Sequence, residues 1–242
     1  MDTSIPLPTK LAWEISQEGL HKGKVTISPC YPGYGITLGN ALRRVMLSSL
    51  PGAAIYAIKI KGVQHEFSAI PYIKEDIVEI ILNLKRVRLK LFSDEPIKLS
   101  LKVKGEKKIK AGDIEKNAQV EIANPDLQIA AITDAAGALD ADIWVKKGIG
   151  YVTTESMADK EGLEVGAIAV DSIFTPIRNI GFNISNIRVG GRTDFDKLEM
   201  NIETDETLTV QEALDMTSDI LIEQFNFIKG NAASKEEENS GS

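Results

Sequence analysis

Residues 86–92, RVRLKLF, alternate polar and apolar side chains as far as Leu91, and 97–104, IKLSLKVK, alternate throughout. Val87, Leu89 and Leu91 share one face of the first run, and Arg86, Arg88 and Lys90 the other. Ile97, Leu99, Leu101 and Val103 share a face of the second. Successive side chains of a strand point to opposite faces, so a period of two predicts half-buried strands in an antiparallel sheet. Residues 197–203 repeat the pattern through Leu198, Met200 and Ile202. Further strands are predicted at Lys10–Ile15, Lys24–Ser28, Ile55–Ile60, Val120–Ile122, Ile129–Ile132, Ile143–Lys147 and Ala167–Phe174. The cations on the outer faces of 86–104 read as solvated sheet surface.

Helical periodicity marks three segments, 38–50, 74–84 and 210–228. Residues 74–84 carry Ile77, Ile80, Ile81 and Leu84 on one face, with acids in the first turn, where the helix dipole favours them. The other two helices are more apolar than one sheet requires. At about 100° per residue, Leu38, Leu42 and Val45 cluster on one side of the first, with Met46, Leu47 and Leu50 beside them. Only a narrow row stays polar: Asn40, Arg44 and Ser48. Arg43 falls inside the apolar sector and there needs a carboxylate or carbonyl partner. In the last helix, Thr209 and Glu212 form a capping box and Gly230 reads as the stop. Val210, Leu214, Thr217, Leu221, Gln224 and Ile228 form one row, with Ala213, Met216, Ile220 and Phe227 as a second; Ile222 and Phe225 add to them. One row covers the chain's own sheet, and the second needs a partner. Either helix alone is explained by a larger monomer core; both together point to an obligate homodimer, an interface like a core cut in half. Its expected residues are Leu38, Leu42, Val45, Met46, Leu50, Leu214, Leu221, Phe225 and Ile228.

The 242 residues, 43% hydrophobic, suffice for one large domain or two small ones. The net charge of -7 argues against coating nucleic acid by bulk electrostatics. No apolar run spans a bilayer and no signal peptide opens the chain, so a cytoplasmic location is expected. A single cysteine, Cys30, and two histidines leave a structural zinc site improbable. Gly33, Gly35 and Gly39 are spaced G-x-G-x-x-x-G, not as a dinucleotide fingerprint, and Pro29 and Pro32 stand where a central strand would precede it. A tight turn into a helix, with Gly39 allowing close packing, explains them. Asp171, Asp194 and Asp196 could suggest a metal, but Asp194 and Asp196 flank a turn, where acids usually cap backbone. No catalytic residue set, cofactor site or metal site is expected.

Five blocks carry a resemblance: TLGNALRRVMLSSLPGAAI at 37–55, EDIVEIILNLK at 75–85, GIGYV at 148–152, VDSIFTPIRNI at 170–180 and RVGGRTDFDKLEMNIETD at 188–205. In this order they resemble the bacterial RNA polymerase alpha-subunit family, across nearly all of its amino-terminal domain. The resemblance implies an α+β fold. An antiparallel sheet with two helices would form a discontinuous dimerisation subdomain, 1–51 and 177–229, with an inserted, mainly β subdomain at 52–176. It implies a non-catalytic scaffold that dimerises and recruits the beta and beta-prime subunits. Arg43, Arg44, Ser48, His65 and Glu66 match the beta-contacting surface, within 28–75. Arg188, Arg192, Asp194 and Lys197 match the beta-prime-contacting surface, within 170–205. Ile36 stands where many members carry His, so a polar contact made by that His is not expected here, and Tyr31-Pro32 replaces commoner charged residues. Residues 230–242 read as a disordered linker or cloning tail, and the family's carboxy-terminal DNA-binding domain is expected to be absent, so direct DNA binding is not expected. The rival reading is a stand-alone β-rich ligand-binding or enzymatic domain, which would need neither the second apolar row nor the Arg44 row.

Overall fold

A computed structural model of the chain describes residues 4–17, 19–63, 67–156 and 163–239, with 231–239 as backbone alone. The strands are β1 (Lys10–Ile15), β2 (Lys22–Cys30), β3 (Pro51–Ile60), β4 (Leu89–Leu91), β5 (Ile97–Lys104), β6 (Lys107–Lys110), β7 (Val120–Ile122), β8 (Gln128–Ile132), β9 (Ala138–Ile149), β10 (Tyr151–Val152), β11 (Ile168–Ala169), β12 (Ser172–Ile173), β13 (Ile177–Val189) and β14 (Arg192–Thr204). The helices are α1 (Tyr34–Ser48), α2 (Ile77–Leu84) and α3 (Val210–Asn239). This is an α+β chain of antiparallel sheets. It divides into two compact units: one holds β1, β2, α1, β13, β14 and α3, and the other runs from Pro51 to Pro176.

The first unit is a four-stranded sheet in the order β1-β2-β14-β13. Leu198 on β14 pairs with Ile27 on β2 and Ile184 on β13, and Met200 with Val25 and Phe182, so apolar rows run straight across the sheet. Helices α1 and α3 cover that face. Val25, Ile180, Leu198, Met200 and Ile202 pack with Leu42, Met46 and Leu50 of α1 and with Val210, Ala213 and Leu214 of α3. The long β13 carries no strand expectation, because its Asn and Gly positions, Asn179, Gly181, Asn183 and Asn186, have low intrinsic strand preference. Pairing with β14 along nearly its whole length supplies what the local sequence lacks.

Helix boundaries differ from expectation in each of the three helices. Helix α1 begins at Tyr34 rather than 38, because Asp196 of β14 takes the role of a cap. Its Oδ2 accepts hydrogen bonds from the backbone N–H groups of Gly33 and Gly35, each at 3.0 Å. Gly33, at φ 85, makes the left-handed entry that a side chain would resist. Helix α3 starts on its capping box, Glu212 N donating to Thr209 Oγ1 at 3.1 Å and Thr209 N to Glu212 Oε2 at 2.8 Å. It does not stop at Gly230, and the disordered tail expected from there is helical backbone to Asn239. A glycine inside a helix costs only about 1 kcal/mol, and the Ala, Lys and Glu residues that follow are strong helix formers.

The second unit is centred on the sheet β5-β9-β3-β4-β7, with β11 added on β3. Helix α2 closes its core through Ile77, Ile80 and Leu84, which pack with Ile58, Leu89, Leu101, Ile129 and Leu139. Asp76 caps α2 in a capping box with Glu79, so the helix starts at Ile77 rather than 74. Glu75 accepts instead from Ala131 N at 2.7 Å. The alternation of 86–92 is right about burial, since Val87, Leu89 and Leu91 are all buried, but only Leu89–Leu91 is strand. The Asn124 side chain takes the ladder's place, accepting from Arg88 N and donating to the Arg86 carbonyl. The strand expected over Ala167–Phe174 is two short pieces, β11 and β12. Asp171 lies between them, accepts from Thr154 N at 2.9 Å and faces Lys85 Nζ at 3.3 Å. The Thr154 hydrogen bond, then Lys85, hold its carboxyl below the ordinary carboxylate range.

Candidate functional site

The first unit presents three features: the outer row of α1, the β13–β14 hairpin end, and the distal half of α3. On α1, Asn40, Arg44 and Ser48 are all exposed, with Leu47 and Ile36 exposed near them. Ser48 Oγ donates to the Arg44 carbonyl at 2.8 Å, and Arg44 itself is exposed. Arg43 has found a carbonyl: its Nε donates to the Ile180 oxygen at 3.4 Å. That contact ties α1 to β13, and Arg43 is exposed rather than set inside the apolar sector.

The expected dimer-interface residues separate into two groups. Leu42, Met46, Leu50 and Leu214 are 0 to 7% exposed in this chain's own core and cannot present a surface to a second copy. The correction has a simple cause: α1 and α3 both lie on the same sheet face, so one core consumes both of their inner stripes. Leu38, Val45 and Leu221 are half-buried. Phe225 and Ile228 are open, at 64 and 62% exposure, and Ile222 and Phe227 are exposed with them. Leu214, Leu221 and Ile228 stand at seven-residue spacing, so a single stripe of α3 passes from core to solvent as the helix leaves the sheet.

At the hairpin end, Arg192 grips Asp194 through two bonds, Nε to Oδ1 at 3.0 Å and Nη2 to Oδ2 at 2.7 Å. The hydrogen bonds raise the guanidinium above its ordinary range and lower the Asp194 carboxyl. The same guanidinium lies 5.6 Å from the Tyr31 ring centroid and 5.1 Å from that of Phe195. Tyr31 also meets Tyr34 edge-on at 6.1 Å. Arg188 Nε donates to the Gly190 carbonyl at 2.9 Å, across the turn. Lys197 stands apart in a ladder network: its Nζ is 3.0 Å from Glu199, which also takes Lys24 at 2.7 Å. The structure therefore brings Arg192, Asp194, Tyr31, Tyr34 and the start of α1 into one patch. Sequence reasoning assigned these to separate surfaces and did not single out Tyr34; only the cross-strand pairing of β14 with β2 joins them. His65 and Glu66 lie outside the described residues.

Asp196 fills the anion-seeking end of α1, which removes the phosphate-loop reading of the glycines on physical grounds. Beside it the Cys30 thiol is buried, and that burial, then Asp196, pushes its pKa up, so it is not a reactive thiolate. Among the described residues no group of three or more His, Cys, Asp or Glu side chains could hold a metal ion, and no helix is long and apolar enough to cross a membrane.

Residues 58–175 match the family described as the RNA polymerase Rpb3/RpoA insert domain, which coincides with most of the second unit. The match places the second unit among the insert domains of RNA polymerase subunits. The DNA-directed RNA polymerase subunit alpha of Alkaliphilus metalliredigens is 44% identical over 219 residues, 90% of this chain and 69% of that one. That of Desulforudis audaxviator is 48% identical over 218 residues, 90% of this chain and 68% of its own length. The Symbiobacterium thermophilum subunit is 48% identical over 201 residues, 83% and 63% of the two chains. The chain belongs to the bacterial DNA-directed RNA polymerase alpha-subunit family, and so is a subunit of the transcribing enzyme.

Proposed function

We propose that the chain is the assembly scaffold of that enzyme: two copies dimerise, and the dimer recruits beta through the α1 row and beta-prime through the hairpin patch. The observation that carries the reading is the α3 stripe, which is core at Leu214 and solvent-exposed at Ile228. Apolar side chains aligned with a core row and left in water call for a second surface. The distal half of α3 and the exposed Leu11 and Ile15 of β1, which share a strand face with the packed Trp13, supply that surface. The upstream half of the helix stays with its own sheet. Within a symmetric dimer each copy offers the same α1 row and the same hairpin patch, and unlike partners would each use one of them.

Light scattering of the purified chain at micromolar concentration tests this reading. The expected mass is that of two chains, and Phe225→Asp with Ile228→Asp is expected to give a folded monomer, because both side chains are exposed and their change leaves the core untouched. A stable monomer of the unaltered chain would overturn the dimer.

A further inference from the structure

The outer face of the β3–β9–β5 sheet belongs to the second unit, whereas the three surface features described above belong to the first. The ladder places Lys59 opposite Asp142, and Asp142 opposite Ser100; Lys102 lies opposite Asp140, and Lys98 opposite Trp144. Lys61 donates its backbone N–H to the Asp140 carbonyl at 2.9 Å, which puts Lys61, Asp140 and Lys102 in one row across three strands. Lys104 continues the outer row of β5.

Part of this charge is matched within the chain. Lys98 Nζ lies 3.0 Å from Asp142 and 2.9 Å from Glu164, and 4.7 Å from the Trp144 ring centroid. Lys59 Nζ lies 3.3 Å from Glu164. Lys61, Lys102, Lys104 and Asp140 form no ion pair among the described residues. The row borders an open cleft of about 260 Å³ lined by Lys59, Lys61, Lys102, Asp140 and Asp142. In a chain of net charge -7, this is a local excess of cations with room above it.

We propose that this face docks an acidic, carboxylate-rich segment of a partner protein. Charge complementarity selects an anionic partner, and the interleaved aspartates select which kind. Asp140, which forms no ion pair among the described residues, needs hydrogen-bond donors from whatever covers it, and Asp142 beside it is already met by Lys98. An acidic peptide brings carboxylates for Lys61 and Lys102 together with a backbone N–H donor for Asp140. A nucleic-acid backbone brings only acceptors, and its phosphates would lie against two carboxylates. Lys61 and Lys102 stand two strand spacings apart, about 10 Å, and alternate carboxylates of an extended segment stand about 7 Å apart. The flexible lysine stems cover that difference. Exposed ion pairs are individually weak and salt-screened, so the contact is expected to be salt-sensitive.

The test uses the whole chain and a fluorescein-labelled peptide of alternating Glu and Ser at about physiological salt, where surface pairs are already screened. Anisotropy reads the affinity, and carbodiimide coupling followed by peptide mapping reads which lysines the carboxylates touch. Coupling is expected to concentrate on Lys61 and Lys102. Lys61→Glu with Lys102→Glu is expected to weaken binding at least about tenfold, whereas Lys108→Glu with Lys116→Glu, the same change in charge elsewhere on the unit, leaves it unchanged. Coupling spread evenly over surface lysines, equal losses in the two double variants, or tighter binding of a single-stranded oligodeoxynucleotide of equal charge would each overturn the proposal. The coupling map on the unaltered chain decides the matter even if a variant fails to fold.

Discussion

At the scale of single residues, Gly39 and Arg44 illustrate opposite demands on one helix. A Cβ at Gly39 would stand 2.8 Å from Phe182 Cδ2 and 3.1 Å from Leu198 Cδ1, so α1 approaches the sheet only because this position has no side chain. Gly39→Ala is expected to destabilise the chain by about 1–3 kcal/mol through overpacking, measured by denaturant midpoint with an unchanged m-value. Gly39 was legible as a packing glycine from its place among apolar neighbours. Its contact residues were not, because Phe182 and Leu198 are far along the chain. Arg44 sits on the opposite side and is exposed. Arg44→Ala is expected to leave the melting temperature within experimental scatter and to weaken capture of the beta subunit at least about tenfold, the scale of an interface hot spot. Arg44→Lys is expected to be impaired as well, since an ammonium cannot reproduce the planar, multi-donor guanidinium. Co-purification with beta that is unchanged in both variants would remove Arg44 from the proposed contact.

At the scale of elements, periodicity located the inner faces correctly and the ends poorly. The alternating faces of β5 and of the 197–203 part of β14 are buried as expected, because a period of two follows directly from strand geometry. The start of α1 was missed, since its cap comes from Asp196, more than 160 residues away. The end of α3 was missed for a different reason: Gly230 is a common stop signal but not a compulsory one. The helix carries Gly230 with no heavy atom within 4 Å of where a Cβ would stand. Gly230→Ala is therefore expected to stabilise the distal half of α3 by about 1 kcal/mol, raising helicity by circular dichroism and slowing amide exchange around 225–235. A helix that truly ended at Gly230 would respond in the opposite sense, because the left-handed conformation of a stop disfavours alanine.

At the scale of the whole molecule, the proposed dimer links stability to assembly. If the α3 stripe is covered by a second copy, unfolding and dissociation are one equilibrium, and the melting temperature rises with protein concentration. Scanning calorimetry across a hundredfold concentration range is expected to show that rise in the unaltered chain and none in the Phe225→Asp, Ile228→Asp variant. The sequence by itself determined the α+β class, the existence of all three helices, the inner faces of the clearest strands and the family. Each of these follows from which side chains leave water, or from motifs that are contiguous in the chain. Only the tertiary structure decided against what those side chains pack. It assigned Leu42, Met46, Leu50 and Leu214 to this chain's own core, gave Arg43 the Ile180 carbonyl, set Asp196 on the glycines of α1, and stacked Arg192 on Tyr31. Apolar periodicity records that a surface must be covered. It carries no information about the partner, because the free energy of burial depends on area removed from water and not on what removes it.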